Sequence, residues 1–363
     1  INKLERHGVK TYIHTFTKGY PSDIDTIVSE EGYGVNEYIE TTKKLILVNA
    51  PGPGSGKLAT CLSQLYHEHK KGVNAGYAKF ETFPVWNLAL KHPVNVAYEA
   101  ATADLFDVNQ IDSFHLTEYN ITSVNYNRDL ETFPIVKAIL NKITGKDIYK
   151  SPTDMGVNMI KDCIIDDDVV QKAAQKEIVR RYYQEKVNYK MGLVGIEVPD
   201  RIKILMNELN INESILDTVD KALDKSKATN KNVLAIKLTN KKIVTGKETE
   251  LLSAPSALII NAIKTLSKIP DDIDLLSPSI LEPILKQRKN NSPLQLPEVM
   301  IALSVCSVTN PVVEKALSCL TQLKDCEAHA TYIVTNGDKK TLTDLGIRLT
   351  CEDKFHSTNL YYD

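Results

Sequence analysis

Residues 44–50 (Lys-Leu-Ile-Leu-Val-Asn-Ala) are apolar at nearly every position, the pattern of a parallel strand covered on both faces. After a short loop the period changes. Leu58, Cys61, Leu62, Leu65, Tyr66 and His69 fall at helical offsets and predict one amphipathic helix. Lys70 and Lys71 suit the negative end of its dipole, and Gly72 closes it. Residues 73–80 return to a strand pattern. Together these segments predict a parallel βαβ unit with a right-handed crossover.

On the amino-terminal side, Leu4 to Gly8 reads as the last turn of a helix ending at a glycine, followed by a strand over 9–16. An α/β layer that starts upstream of Ile1 is therefore expected. Past a polar stretch, Val94, Ala97, Tyr98, Ala101 and Leu105 mark a helix, and residues 130–230 read as mainly helical. There Asp166, Asp167 and Asp168 sit at the favourable start of a helix carrying Val169, Val170, Ala173, Ile178 and Tyr182. Ile215, Leu216, Val219 and Leu223 mark another. Beyond 231 the chain alternates strands (233–238, 243–245, 328–335, 347–351) with helices (257–266, one around Val312–Leu320, and 338–345 ending at Gly346). The expected fold class is a multidomain α/β protein: a parallel βαβ layer with a glycine-rich loop, a helical middle region and a C-terminal α/β domain. The expected divisions are 1–129, 130–230 and 231–363.

Composition narrows the function classes. With 363 residues, 42% hydrophobic and 25% charged, the chain is ordinary globular material with room for more than one core. A net charge of −2 and the lack of a dense Lys/Arg block argue against nucleic acid as a partner. No apolar run is long enough to span a bilayer, so no membrane partner is expected. Six cysteines without a C-x-x-C pair read as reduced thiols and point to the cytoplasm.

The loop Pro51-Gly52-Pro53-Gly54-Ser55-Gly56-Lys57 joins the strand to the helix. Small residues let successive backbone N–H groups turn toward one anion, and a helix N-terminus points at the same place. Lys57 strengthens the case, because a cation in a first helical turn opposes the dipole unless an anion offsets it. The loop departs from the Walker A pattern twice: Pro51 replaces the first glycine and Leu58 the Mg²⁺-binding hydroxyl. Thr60 lies about 200° further round the helix and is no simple substitute; Ser55 is an alternative ligand. Gly54-Ser55-Gly56-Lys57-Leu58-Ala59 also fits the dinucleotide pattern G-x-G-x-x-G/A, with Glu81 placed to meet a ribose. A strand–helix turn without a ligand is the plain alternative.

Residues 79–129 are dense in polar types and lie beyond the strand ends, where open α/β sheets bind ligands. Asp104 and Asp107 are candidate metal ligands, Asp104, His115 and Arg128 candidate catalytic groups, and Asp112 a further acid of the same stretch. Arg128 offers a fork for phosphate or carboxylate. Turns and caps are the competing use of such residues. His67 and His69 point to different sides of a helix and lack metal-ligand spacing. The stretch Ser151-Pro152-Thr153-Asp154 reads as a helix start.

The loop together with Thr60-Cys61-Leu62-Ser63-Gln64 and Tyr66-His67-Glu68-His69 resembles the family designated domain of unknown function 1846, or uncharacterised protein family 0371. Lys79-Phe80-Glu81-Thr82-Phe83-Pro84, Ala97 to Leu105, Asn125-Tyr126-Asn127-Arg128-Asp129 and Ser151 to Met159 resemble it too. The resemblance runs over essentially the whole chain. It implies an N-terminal family segment beyond this sequence, and a multidomain α/β protein with a helical middle part. It brings no established reaction. Some members carry an ATP-dependent peptidase label, but the residues here show no protease constellation.

The expected ligand is therefore a small phosphate-bearing molecule: ATP or another nucleotide with Mg²⁺, or NAD(P) as the alternative. A transferase or ligase, a dinucleotide-dependent oxidoreductase and a non-catalytic phospholigand sensor or assembly protein all stay open. Homo-oligomerisation is compatible with each.

Overall fold

The computed structural model describes residues 1–52, 54–80, 84–156, 158–286 and 292–357. Several of its helices begin where the sequence supplies a cap. Asp112 precedes Ser113–Tyr119, Ser151 opens Pro152–Met155 with a reciprocal Ser151/Asp154 capping box, and Ser253 and Thr335 cap Ala254–Ser267 and Asn336–Asp344. The chain divides into two compact units, Ile1–Glu99 with Phe106–Val170, and Ala100–Leu105 with Gln171–Asp363. The helical stretch 130–230 falls partly in each unit. The fold class is mixed α/β, as expected, though helix far outweighs strand.

In the first unit the helix Lys57–Lys70 packs on the helix Asn127–Thr144. Leu62, Leu65 and Tyr66 meet Phe133, Val136, Ile139 and Leu140, with Ile27 and Tyr33 closing the cluster. The buried stripe of Lys57–Lys70 is narrower than the sequence suggests, since Leu58 is exposed and Ser63 is fully buried. Gly72, at φ +79°, ends it as expected. A two-stranded antiparallel ribbon pairs β1 (Asn109–Ile111) with β2 (Val124–Tyr126).

The parallel βαβ ladder does not form among the described residues. Residues 9–16, 44–50 and most of 73–80 carry no ladder, and Lys44 and Leu45 lie in a bend. Their one sheet-like contact is an isolated parallel bridge between Lys79 and Gly156. Leu45 and Leu47 are 87% and 80% exposed. A continuous apolar run records a tolerance for burial on both faces; the partners that realise it are non-local, and none lies beside 44–50 in the described residues.

The second unit follows the sequence closely. Its sheet runs β4-β3-β5-β6, from β3 (Val233–Lys237), β4 (Ile243–Lys247), β5 (Glu327–Ala330) and β6 (Arg348–Cys351). The β3–β4 and β3–β5 pairs are antiparallel and β5–β6 is parallel. Ala254–Ser267 lies against this sheet and buries Leu258, Ile259, Ala262 and Ile263. Gly246 is what lets it approach: a Cβ there would sit 2.1 Å from the backbone nitrogen of Leu258. Among the described residues no helix is long and apolar enough to cross a membrane, and all six cysteines are free thiols.

Candidate functional site

The glycine-rich loop ends at Gly56, which occupies the N-cap of Lys57–Lys70 with φ +80° and offers no side chain to its first-turn amides. Gly54 is also left-handed, at φ +70°. A Cβ at Gly52, Gly54 or Gly56 would meet nothing within 4 Å, so open space lies over the loop and only backbone conformation demands glycine. The loop is folded back on itself. Ser55 Oγ donates to the Gly52 carbonyl at 2.5 Å, and Lys57 Nζ donates to the same oxygen at 2.8 Å. Among the described residues the amides of Gly54, Gly56, Lys57 and Leu58 make no backbone hydrogen bond. No acidic residue lies in the first turn. A helix N-terminus, a row of free amides and one lysine make this edge electropositive.

Polar contacts from 33–39 hold the helix in place. Buried Ser63 accepts from Asn36 Nδ2 at 3.2 Å, and Gln64 brackets the backbone of Ile39 with two bonds of 3.0 Å. His67 and His69 each direct Nε2 at a backbone carbonyl, of Asn36 and Ala75, both at 2.8 Å. As expected from their spacing, they serve the edge of the core rather than a metal.

The expected polar wall resolves into pairs. Arg128 Nη2 donates to Asp107 Oδ2 at 2.9 Å, and Asp107 is almost fully buried. Lys79 pairs with Asp129 at 2.6 Å. Asp112, wholly buried, accepts from the amides of Phe114, His115 and Thr153 and from Thr153 Oγ1 at 2.6 Å. Thr153 Oγ1 also meets Ser123 Oγ at 2.8 Å. Asp112 is therefore a helix cap that ties 112–115 to 151–154.

His115 Nδ1 lies 2.9 Å from Ser151 Oγ and 3.7 Å from Asp154 Oδ1. A serine–histidine–acid relay needs hydroxyl and carboxylate on opposite ring nitrogens. Here both face the same nitrogen, and Ser151 is fully buried as a helix cap. These contacts hold His115 against the start of Pro152–Met155. Tyr119, its ring tilted against His115 and its hydroxyl donating to Asp154 at 3.0 Å, has its hydroxyl pKa raised by burial and by that carboxylate.

The remaining candidates are scattered. Asp104 is exposed in a short 3-10 turn of the second unit, whereas Asp107, His115 and Arg128 belong to the first. Glu81 lies outside the described residues. Among the described residues no group of three or more His, Cys, Asp or Glu side chains is disposed to hold a metal ion. Ser151, Thr153, Ser123 and Asp154, which join His115 and Asp112, were not singled out from sequence as partners. The capping pattern at 151–154 was the available signal, but it points to a helix start and not to its long-range contacts.

Two family descriptions match, "Domain of unknown function DUF1846, N-terminal" over residues 1–210 and its C-terminal counterpart over 215–361. UPF0371 proteins of Clostridium tetani (strain Massachusetts / E88) and Clostridium botulinum (strain Alaska E43 / Type E3) are 52% and 53% identical over 377 aligned residues. Each alignment takes in 100% of this chain and 75% of the relative. A UPF0371 protein of Clostridioides difficile (strain 630) is 53% identical over the same shares. With matches of this extent in both halves, the chain belongs to the DUF1846 (UPF0371) family.

Proposed function

We propose that the 52–57 loop and the first turn of Lys57–Lys70 bind the phosphate of a small ligand, a nucleotide such as ATP being the leading candidate. The observation that supports this most is the row of amides of Gly54, Gly56, Lys57 and Leu58 without a backbone acceptor among the described residues, beside Lys57 and under open space. The first-turn amides left open at a helix N-terminus are donors an anion would answer, and it would also offset the cation held at the positive end of the dipole. On binding, Lys57 Nζ exchanges the Gly52 carbonyl for a phosphate oxygen.

The side chain that would assist is Arg128, half exposed and bonded through Nη2 to Asp107. The chemistry beyond binding, transfer or ligation in the cytoplasm, rests on this reading and on no arranged catalytic group. Mg²⁺ would arrive with the nucleotide, held by its phosphates and water, since Leu58 offers no hydroxyl. Isothermal calorimetry with ATP, NADH and inorganic phosphate, with and without Mg²⁺, tests it. Heat with ATP or phosphate that disappears in Lys57→Ala is the expected result. Binding of NADH alone would redirect the reading to a dinucleotide, and no heat from any of the three would end it.

A further inference from the structure

Past β6 the chain does not leave the second unit but runs on as a strap over it. The Glu352 amide donates to the Ala330 carbonyl at 2.9 Å, and the Ile333 amide donates to the Lys354 carbonyl at 2.7 Å. Between these backbone ties the strap carries charge to its neighbours. Lys186, on the helix Asp167–Lys190, lies 3.0 Å from Asp353 and 3.8 Å from Glu352. Lys190 sits over the ring of Phe355 at 5.8 Å. Glu352 reaches inward to fully buried His329 of β5 at 3.4 Å.

The strap is fastened at His356. Its Nε2 is 2.8 Å from Glu248 Oε2, just past β4, and its ring meets Tyr332 edge-on at 5.2 Å. Asn232, before β3, donates one amide group toward both Glu248 Oε2 (3.1 Å) and the His356 carbonyl (3.4 Å). A single residue thus ties strap, β4, β3 and the segment after β5 together. Among the described residues the charged groups that act on it are Glu248 and the carboxyl of Asp338, from the helix Asn336–Asp344; the Tyr332 ring lies edge-on to it, and Lys231 acts on Glu248.

We propose that residues 352–357 form a pH-responsive strap, latched across the β4-β3-β5 edge by the His356–Glu248 pair and loosened when His356 loses its proton. The linkage has a definite sign. Glu248 holds the His356 pKa above its ordinary value of 6.5, so the latch is complete below that pH and weakens as pH rises through the raised value. The pKa of Glu248 is lowered, because its bonds to His356 and Asn232 outweigh its burial; that contribution is present above 4.5 and lost as pH falls through the depressed value. The latch is therefore tightest in the mildly acidic range. At higher pH a neutral imidazole can still donate to Glu248, so the change is a weakening from a charged to an ordinary hydrogen bond.

The Ile333 amide reports strap attachment directly, because its acceptor is Lys354. Its hydrogen exchange, corrected for the intrinsic pH dependence, should show protection falling about fivefold between pH 6 and pH 8.5, the ratio expected when a hydrogen bond loses its charge assistance. His356→Gln keeps a donor without the titration and should abolish the pH step while leaving the β3 amides protected. Glu248→Gln should abolish it too. A wild-type profile that stays flat, or a step of the same size in His356→Gln, would overturn the proposal. Should a variant fail to fold, the NMR titration of His356 in the wild-type protein decides alone: a midpoint at or below 6.5 is the contradicting result.

Discussion

Replacing Asp112 by alanine tests how the polar network behind the candidate site is held. Its carboxylate is wholly buried and takes four hydrogen bonds: two first-turn amides of Ser113–Tyr119, the Thr153 amide and Thr153 Oγ1. Loss of a helix cap costs about 1 kcal/mol. The Thr153 amide and hydroxyl would then lose a charged acceptor inside the unit, and a buried donor left unanswered costs roughly 1–3 kcal/mol. Thr153 Oγ1 retains Ser123 as a neighbour, so the hydroxyl should lie at the low end of that range. The expected destabilisation is about 3–4 kcal/mol. Asp112→Asn keeps one acceptor oxygen and should lose about half of this. Urea unfolding followed by Trp86 fluorescence is the suitable assay, because the chain's only tryptophan meets His115 edge-on in the same unit. A midpoint shift equivalent to less than about 1 kcal/mol for the alanine variant would refute the reasoning, since it would make the four bonds dispensable.

Other parts of the structure make independent predictions. Gly246→Ala should destabilise the second unit by at least about 3 kcal/mol, or prevent its folding, because the new Cβ meets backbone that cannot yield; thermal unfolding of purified protein reads this. Gly54→Ala meets no atom, so it should cost only about 1–2 kcal/mol of backbone strain at φ +70°, while weakening phosphate binding in the same calorimetric assay. Phe133→Ala should cost about 3–5 kcal/mol by opening the core between Lys57–Lys70 and Asn127–Thr144. Burial raises the pKa of Asp338, so its ionisation opposes folding at neutral pH and stability is regained as pH falls through that raised value. Asp338→Asn can still accept from the Leu296 amide (2.7 Å in the wild type). It should match or exceed wild-type stability at pH 7, with the difference shrinking in acid.

What could be read from the sequence depended on how local the determining interactions are. The helices Ala254–Ser267 and Asn336–Asp344, with Ser253 and Thr335 as caps, are written within a few residues of themselves. Gly72 and Gly346 likewise announce two helix ends through their left-handed backbone. Residues 44–50 show the opposite. Their composition suits a strand covered on both faces, but pairing is a long-range property that composition alone does not carry. The candidate site divides in the same way. The glycine conformations and the uncapped first turn of Lys57–Lys70 follow from the loop sequence itself. By contrast, Asp112–Thr153 and His115–Ser151 join residues 41 and 36 positions apart, and nothing near Asp112 or His115 announces a cap and a buried partner in place of acid–base chemistry. The Arg128–Asp107 bond likewise joins residues 21 positions apart, beyond what the local sequence announces.

The central claim is that the backbone of residues 54–58 cradles phosphate, and amide chemical shifts report on it atom by atom. In ¹⁵N-labelled protein titrated with ATP and separately with inorganic phosphate, the amides of Gly54, Ser55, Gly56, Lys57 and Leu58 should move together. They should saturate with one dissociation constant for each ligand, and Lys57→Ala should weaken both. If saturating ATP shifts resonances elsewhere and leaves these five in place, the loop is a ligand-free turn and the proposed function falls with it.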